Sequence, residues 1–198
     1  MNKQSYILAY GFSGERLETL QDLCSNNAIE LKLLGNHDLD TIVQDLLPTE
    51  AENLSPIEPP SSYELDLEHI LFVNFVQDEL MTFLDLLNER QLAVPYKAAL
   101  TDNNRKWVLR ELIDANRKEH QFVKLYRSSK NLLSVAAELL EKTKDPVLLE
   151  AMEGLSEVLA DLEKPEALSP ELEDEMYEKM RASYNDVATR FNTLVSKE

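Results

Sequence analysis

Three groups of residues in this chain have types and spacings that could do chemistry. The first is the run Gly11-Phe12-Ser13-Gly14, which follows a short apolar stretch. Small residues between a strand and a helix leave free backbone N–H groups at the positive end of the helix, an arrangement that binds an anion such as phosphate. Gly11, Ser13 and Gly14 therefore form the candidate anion-binding turn. The spacing of a phosphate loop and its Lys-Ser/Thr are absent, so a tight turn capped by Ser13 is the preferred account of the same residues. The second group is basic: Lys97, Arg105, Lys106, Arg110, Arg117, Lys118, Lys124, Arg127 and Lys130, against four acids in the same stretch. Such a run reads as a patch for nucleic acid or an acidic partner, with Tyr126 beside Arg127 as a stacking group. The alternative, internal pairing with the acidic helices or the preceding loop, is preferred because the whole chain is acidic. The third group is His37-Asp38 with Asp40, which offers metal-ligand types. His69 and His120 lie far along the chain, and a surface loop in which Asp38 caps a helix is preferred. No catalytic, cofactor or metal residue is assigned.

The elements that must position these residues follow from the apolar pattern. The chain has 198 residues, long enough to bury a core, and a net charge of −17 that opposes attraction to phosphate backbones and anionic membranes. The single Cys24 excludes an intrachain disulfide, and its place on an apolar helical stripe makes it a buried, inert thiol. A reducing, cytoplasmic location fits. Met1 to Gln4 is short and polar, with no leader pattern, and no apolar run reaches the length of a membrane span.

Ser5 to Phe12 reads as a buried strand, and Leu17, Leu20, Leu23 and Cys24 as the inner face of a helix stopped by Asn26 and Asn27. Ile29 to Leu34 is a second strand. A helix from Asp38 would carry Ile42, Val43, Leu46 and Leu47 inward, and Pro48 ends it. Residues 48–68 hold Pro48, Pro56, Pro59 and Pro60 and no Lys or Arg, the composition of a linker. A second copy then starts near His69. With an offset of 63, Ile7 meets Ile70, Phe12 meets Phe75, Leu17 meets Leu80, Leu20 meets Phe83 and Leu23 meets Leu86. A single β-α-β-α unit leaves sheet edges and one face uncovered. Two copies, residues 1–47 and 69–115, are therefore expected to pair into one small, mostly parallel sheet of α/β class.

Residues 116–198 are expected to be all-helical, a helical hairpin or three-helix bundle. Thr101 or Asp102 is the expected cap of a helix through Trp107 and Leu112, which either breaks within Asp114 to His120 or continues to Lys142. Asp145-Pro146 and Ser169-Pro170 are helix starts, each a cap followed by proline at the first position. Met176, Met180, Tyr184 and Phe191 lie on one stripe, which reads as bundle core before it reads as a partner groove.

The second copy, Ile70-Leu71-Phe72-Val73-Asn74-Phe75, then Leu80, Leu84 and Leu87, and later Trp107-Val108-Leu109-Arg110-Glu111-Leu112, resembles a small bacterial domain family of unknown function. Its pattern is a strand ending in Val-Asn-Phe or Tyr-Gly-Phe, a helix, a second strand and a closing helix with a Trp/Leu-rich turn. Tyr10-Gly11-Phe12-Ser13 looks like the same element. The resemblance spans roughly the first 115 residues and implies a fold without an activity.

These observations support a non-enzymatic interaction or regulatory protein, with a protein partner or self-association and no membrane. The alternatives are a nucleic-acid-associated or DNA-mimicking acidic protein, and a binder of a nucleotide or other small ligand at the turn after the first strand.

Overall fold

In the computed structural model, residues 4–47, 60–163 and 170–196 are described. Strand β1 (Tyr6–Tyr10) is apolar throughout and all five residues are buried. It leads through Gly11 into helix α1 (Gly14–Asn26) and then strand β2 (Glu30–Leu34). Strand β3 (His69–Val73), helix α2 (Gln77–Glu89) and strand β4 (Tyr96–Ala99) repeat the order. The sheet runs β2-β1-β3-β4. The outer pairings are parallel, and β1 and β3 meet antiparallel, Tyr6 opposite Val73 and Tyr10 opposite His69. The sheet is thus mixed, with two of its three pairings parallel as expected.

The two β-α-β halves correspond closely in backbone. β1 and β3, and α1 and α2, are each displaced by 63 residues. The same offset relates Gly11 (φ +86°) to Asn74 (φ +62°), and Ala28 (φ +54°) to Gln91 (φ +56°). The left-handed residue after α1 is Ala28, not Asn26 or Asn27.

Successive strand residues face opposite sides of the sheet, which sorts them into two cores. On one side Ile7, Ala9, Ile70 and Phe72 pack with Leu17, Leu20, Leu23 and Cys24 of α1 and Phe83 and Leu87 of α2. On the other, Tyr6, Leu8, Tyr10, Leu71 and Val73 pack with Leu39, Val43, Leu46, Leu109, Leu112 and Ile113. Cys24 is buried, and loss of solvent around the sulfur pushes its thiol up to about 12, so it is inert as the stripe implied.

The second core shows where the expected elements change. The helix expected from Asp38 is absent. Two 3-10 turns, Asn36–Asp38 and Val43–Leu46, take its place. The backbone between them is used across the sheet face: Val43 N–H donates to the Trp107 carbonyl, Leu109 N–H to that of Thr41, and Arg110 N–H to that of Leu39. These bonds, with a bridge between Ile42 and Val108, compete with helical ones, and β-branched Thr41, Ile42 and Val43 do not resist. Residues 48–59 of the expected linker lie outside the described residues. Its remainder packs: Tyr63, Leu65 and Leu67 lie against the second core.

Thr101 does not cap the following helix; it brackets the entry to a 3-10 turn (Asn104–Lys106) by exchanging hydrogen bonds with Asn104. Its hydroxyl accepts from Asn104 N–H at 3.1 Å while Thr101 N–H donates to Asn104 Oδ1 at 2.8 Å. Helix α3 (Leu109–Thr143) starts later and is continuous through Asp114 to His120. At its start Val108 N–H donates to the Glu111 carboxylate, half of a capping box.

The chain divides into two compact units, Met1–His120 and Gln121–Glu198, and the elements described in the second are all helices. In it the later part of α3 meets α4 (Pro146–Leu162) and α5 (Pro170–Val195). Ala136 and Leu139, Leu148, Leu155 and Leu159, and Met180 and Val187 form one apolar cluster. Asp145 caps α4, accepting from Leu148 N–H at 2.8 Å, and Arg190 of α5 forks onto the same carboxylate. Ser129 is fully buried on α3, and its hydroxyl has no hydrogen-bond partner among the described residues. A buried, unpaired hydroxyl is a net cost, so Ser129→Ala is expected to be neutral or to stabilise the helical unit by up to about 1 kcal/mol in urea titrations.

Candidate functional site

The turn after β1 is built around a close backbone approach. Gly11 has φ +86°, and a Cβ there would lie 1.9 Å from the Leu67 carbonyl oxygen. The glycine is required because the strand-entry segment before β3 crosses directly over it. Ser13 holds the N-cap position of α1, but its side chain makes no capping hydrogen bond, contrary to expectation. Gly14 has φ +53° with open space around it. Arg16, in the first turn of α1, forks onto Glu68 with contacts of 2.6 and 2.5 Å and also donates to the Ala93 carbonyl at 3.2 Å. The cation nearest the turn is thereby neutralised by a carboxylate.

The basic stretch is divided by the fold. Arg110 forms a node: its guanidinium donates to Asp40 Oδ1 at 3.1 Å and to Glu64 Oε1 at 2.8 Å, and these partners hold it well above its ordinary pKa. It ties the first turn of α3 to the loop before β3 and to the segment after β2. Asp40, one of the three metal-ligand candidates, is occupied by this pair. Asp38 accepts from Gly35 N–H at 2.7 Å, and His37 Nε2 lies 3.4 Å from the Asp38 carboxylate. Arg105 pairs with Asp102 at 3.5 Å and Arg117 with Asp114 at 2.9 Å. Lys130 pairs with Glu163 at 2.7 Å, and Tyr126 O–H donates to the same carboxylate at 2.8 Å, so Tyr126 is held in place and its ring carries Lys130 above it. Lys97 donates to the Val94 carbonyl, and its partial burial lowers its pKa. Lys118 is also partnered. Lys106, Lys124 and Arg127 are exposed and make no ion pair with any described residue. Internal pairing thus takes in most of the stretch, with Glu64 of the loop before β3 and Glu163 at the end of α4 among the partners.

Two polar arrangements were not visible as motifs. Tyr10 is fully buried, and its hydroxyl donates to Asn36 Oδ1 at 2.9 Å while accepting from Leu65 N–H at 3.1 Å. Asn36 Oδ1 also accepts from Glu64 N–H at 2.8 Å, and Tyr63 O–H donates to the Phe12 carbonyl at 3.0 Å. Tyr10 and Tyr63 pack edge to face, with ring centroids 4.9 Å apart. The network pins the loop over the end of β1. On β3, His69 is 0% exposed; Nε2–H donates to Asn116 Oδ1 of α3 at 2.9 Å, and Nδ1 has no partner among the described residues. Its strand neighbours are Tyr10 and Tyr96, and Tyr96 packs edge to face on His120. Burial, which disfavours the imidazolium, brings His69 down to about 4 despite the Asn116 bond. The alternation of β3 was a usable signal: His69 shares the face of Leu71 and Val73.

Among the described residues, no group of three His, Cys, Asp or Glu side chains is gathered as a metal site. No helix is long and apolar enough to cross a membrane, again among the described residues.

The site therefore belongs to a small α/β domain with helices on one face of a four-stranded sheet and loops and α3 on the other. Residues 68–123, from β3 into α3, match the family described as a domain of unknown function, DUF3783. That stretch covers the second β-α-β half, and residues 1–67 lie outside it. No curated protein and no solved structure matches the chain.

Proposed function

We propose that this chain is a non-enzymatic interaction or regulatory protein that binds a protein partner. One observation carries the reading: both units present large apolar side chains to solvent, while most of the basic stretch from Lys97 to Lys130 is engaged within the chain. Ile42, Val76 and Met81 are exposed in the first unit, and Val123, Val135, Val147, Leu149 and Val195 in the second. Exposed aliphatic side chains rimmed by charge are the ordinary material of protein interfaces. The two similar β-α-β halves are read as a duplicated scaffold, and a cytoplasmic setting fits the reduced Cys24.

A second reading, association with nucleic acid, draws on Lys124 and Arg127. They stand one turn apart on α3, exposed and without an ion-pair partner among the described residues. One experiment tests both. Tagged full-length protein is captured from the cells that express it, with and without nuclease and at rising salt. The expected result is a specific protein that stays bound after nuclease treatment. Recovery of nucleic acid lost on Lys124→Glu with Arg127→Glu, or of no specific protein, would overturn the leading reading.

A further inference from the structure

We propose that the outer side of α2 is a docking surface for a basic amphipathic helix of a protein partner. This rests on the interaction reading above and names its surface. The observation behind it is a difference between two equivalent helices. α1 and α2 are both thirteen residues long and stand in the same place in their halves, at a constant offset of 63. Packing on the sheet therefore asks the same of both. At Ser13, Glu18 and Gln21 the first half has polar residues; at the equivalent Val76, Met81 and Leu84 the second half has apolar ones. Val76 is 67% exposed and Met81 54%, so core packing does not account for them. Leu84 is half-buried and packs in part against the first core; it lies one turn from Met81, where it borders the exposed side of the helix.

The charge around this surface selects the occupant. α2 carries Asp78, Glu79, Asp85 and Glu89 and no basic residue. Asp78, Asp85 and Glu89 are exposed, and Glu79 accepts from the Ser5 hydroxyl at 2.9 Å. An apolar strip edged by carboxylates suits a helix whose Leu-type face is flanked by Lys or Arg, laid along α2 with anchors at i, i+3 and i+4 spacing. The same carboxylates disfavour an anionic membrane or a nucleic acid.

The test uses a labelled helical peptide with one Leu face and one Lys face, and a scrambled peptide of the same composition, titrated into the full chain at physiological ionic strength. The patterned peptide is expected to bind, and Met81→Glu with Leu84→Gln, the residue types of the first half, to weaken it at least about tenfold. The double variant adds negative charge, so attraction by charge alone would tighten binding. Met81→Glu alone serves if the double variant lowers the thermal midpoint. Failure of the wild-type chain to bind the patterned peptide, equal binding of the scrambled one, or undiminished binding by the variant would overturn the proposal. So would self-association through α2 that the same substitutions abolish. A cellular partner retained by the variant would sink this surface and leave the interaction reading standing. Capture of no partner by the wild-type chain would sink the interaction reading itself.

Discussion

Gly11→Ala is expected to destabilise the first unit by about 3 kcal/mol or more, a large part of the stability of a typical domain. Two costs add. A side chain at φ +86° carries a left-handed penalty of about 1–2 kcal/mol. The new Cβ would also lie 1.9 Å from the Leu67 carbonyl oxygen and 3.2 Å from Glu68 Cα, so backbone on both sides of the crossing must move. Displacing it disturbs Tyr63, Leu65 and Leu67 on the second core and the Arg16–Glu68 fork. Gly14→Ala is the internal control. It has a positive φ but open space, and should cost only about 1 kcal/mol. Equilibrium urea unfolding of the two variants measures the difference; equal losses would show that the approach of Leu67 contributes little.

The second large effect is acid sensitivity from His69. In the unfolded chain this imidazole takes up a proton near its ordinary value of about 6.5, and in the folded chain only at about 4. Below 6.5 the unfolded state therefore binds more protons than the folded state, and stability falls as pH falls. The loss accumulates between about 6.5 and 4 and levels off below, amounting to about 3 kcal/mol at 1.36 kcal/mol for each unit of difference. Around it stand Tyr10 of β1, Tyr96 of β4 and Asn116 of α3, with His120 against Tyr96. Urea midpoints across this window, in wild type and in His69→Leu, read the effect. The variant should lose the slope, and a slope that persists would place its origin in another group.

Strands β1, β2 and β3, α1, α2 and the three later helices were legible because each depends on local pattern, whereas the half-exposed β4 (Tyr96–Ala99) lies beyond Leu92, where the 63-residue offset pointed. Short apolar runs bounded by Gly11 or Asn74, helical stripes such as Leu17, Leu20 and Cys24, and the Asp145-Pro146 start all act within a few residues. What was not legible depends on contacts between distant segments. Residues 38–46 have an apolar pattern that fits a helix, but their backbone is claimed by Trp107 to Leu109. Gly11 read as part of a tight turn, but the close approach that demands it was hidden, because the chain that crosses it lies more than fifty residues on. The basic run looked continuous in sequence, while Arg110 reaches back to Asp40 and Glu64. The distinction between α1 and α2 was present in the repeat, in Glu18 against Met81, and needed only the degree of exposure to give it meaning.

The antiparallel meeting of β1 and β3 has one more consequence. In open sheets whose strands all run one way, the loops after the strands gather along one rim, and ligands settle in the crevice there. Here the carboxyl ends of β1 and β2 point one way and those of β3 and β4 the other. The turn at Gly11 and its equivalent at Asn74 therefore open on opposite rims of the sheet. No single rim collects the loops of both halves. What the halves share is a broad side bearing α1 and α2 next to each other, which makes the exposed residues of the helices the natural place for sequence to diversify recognition.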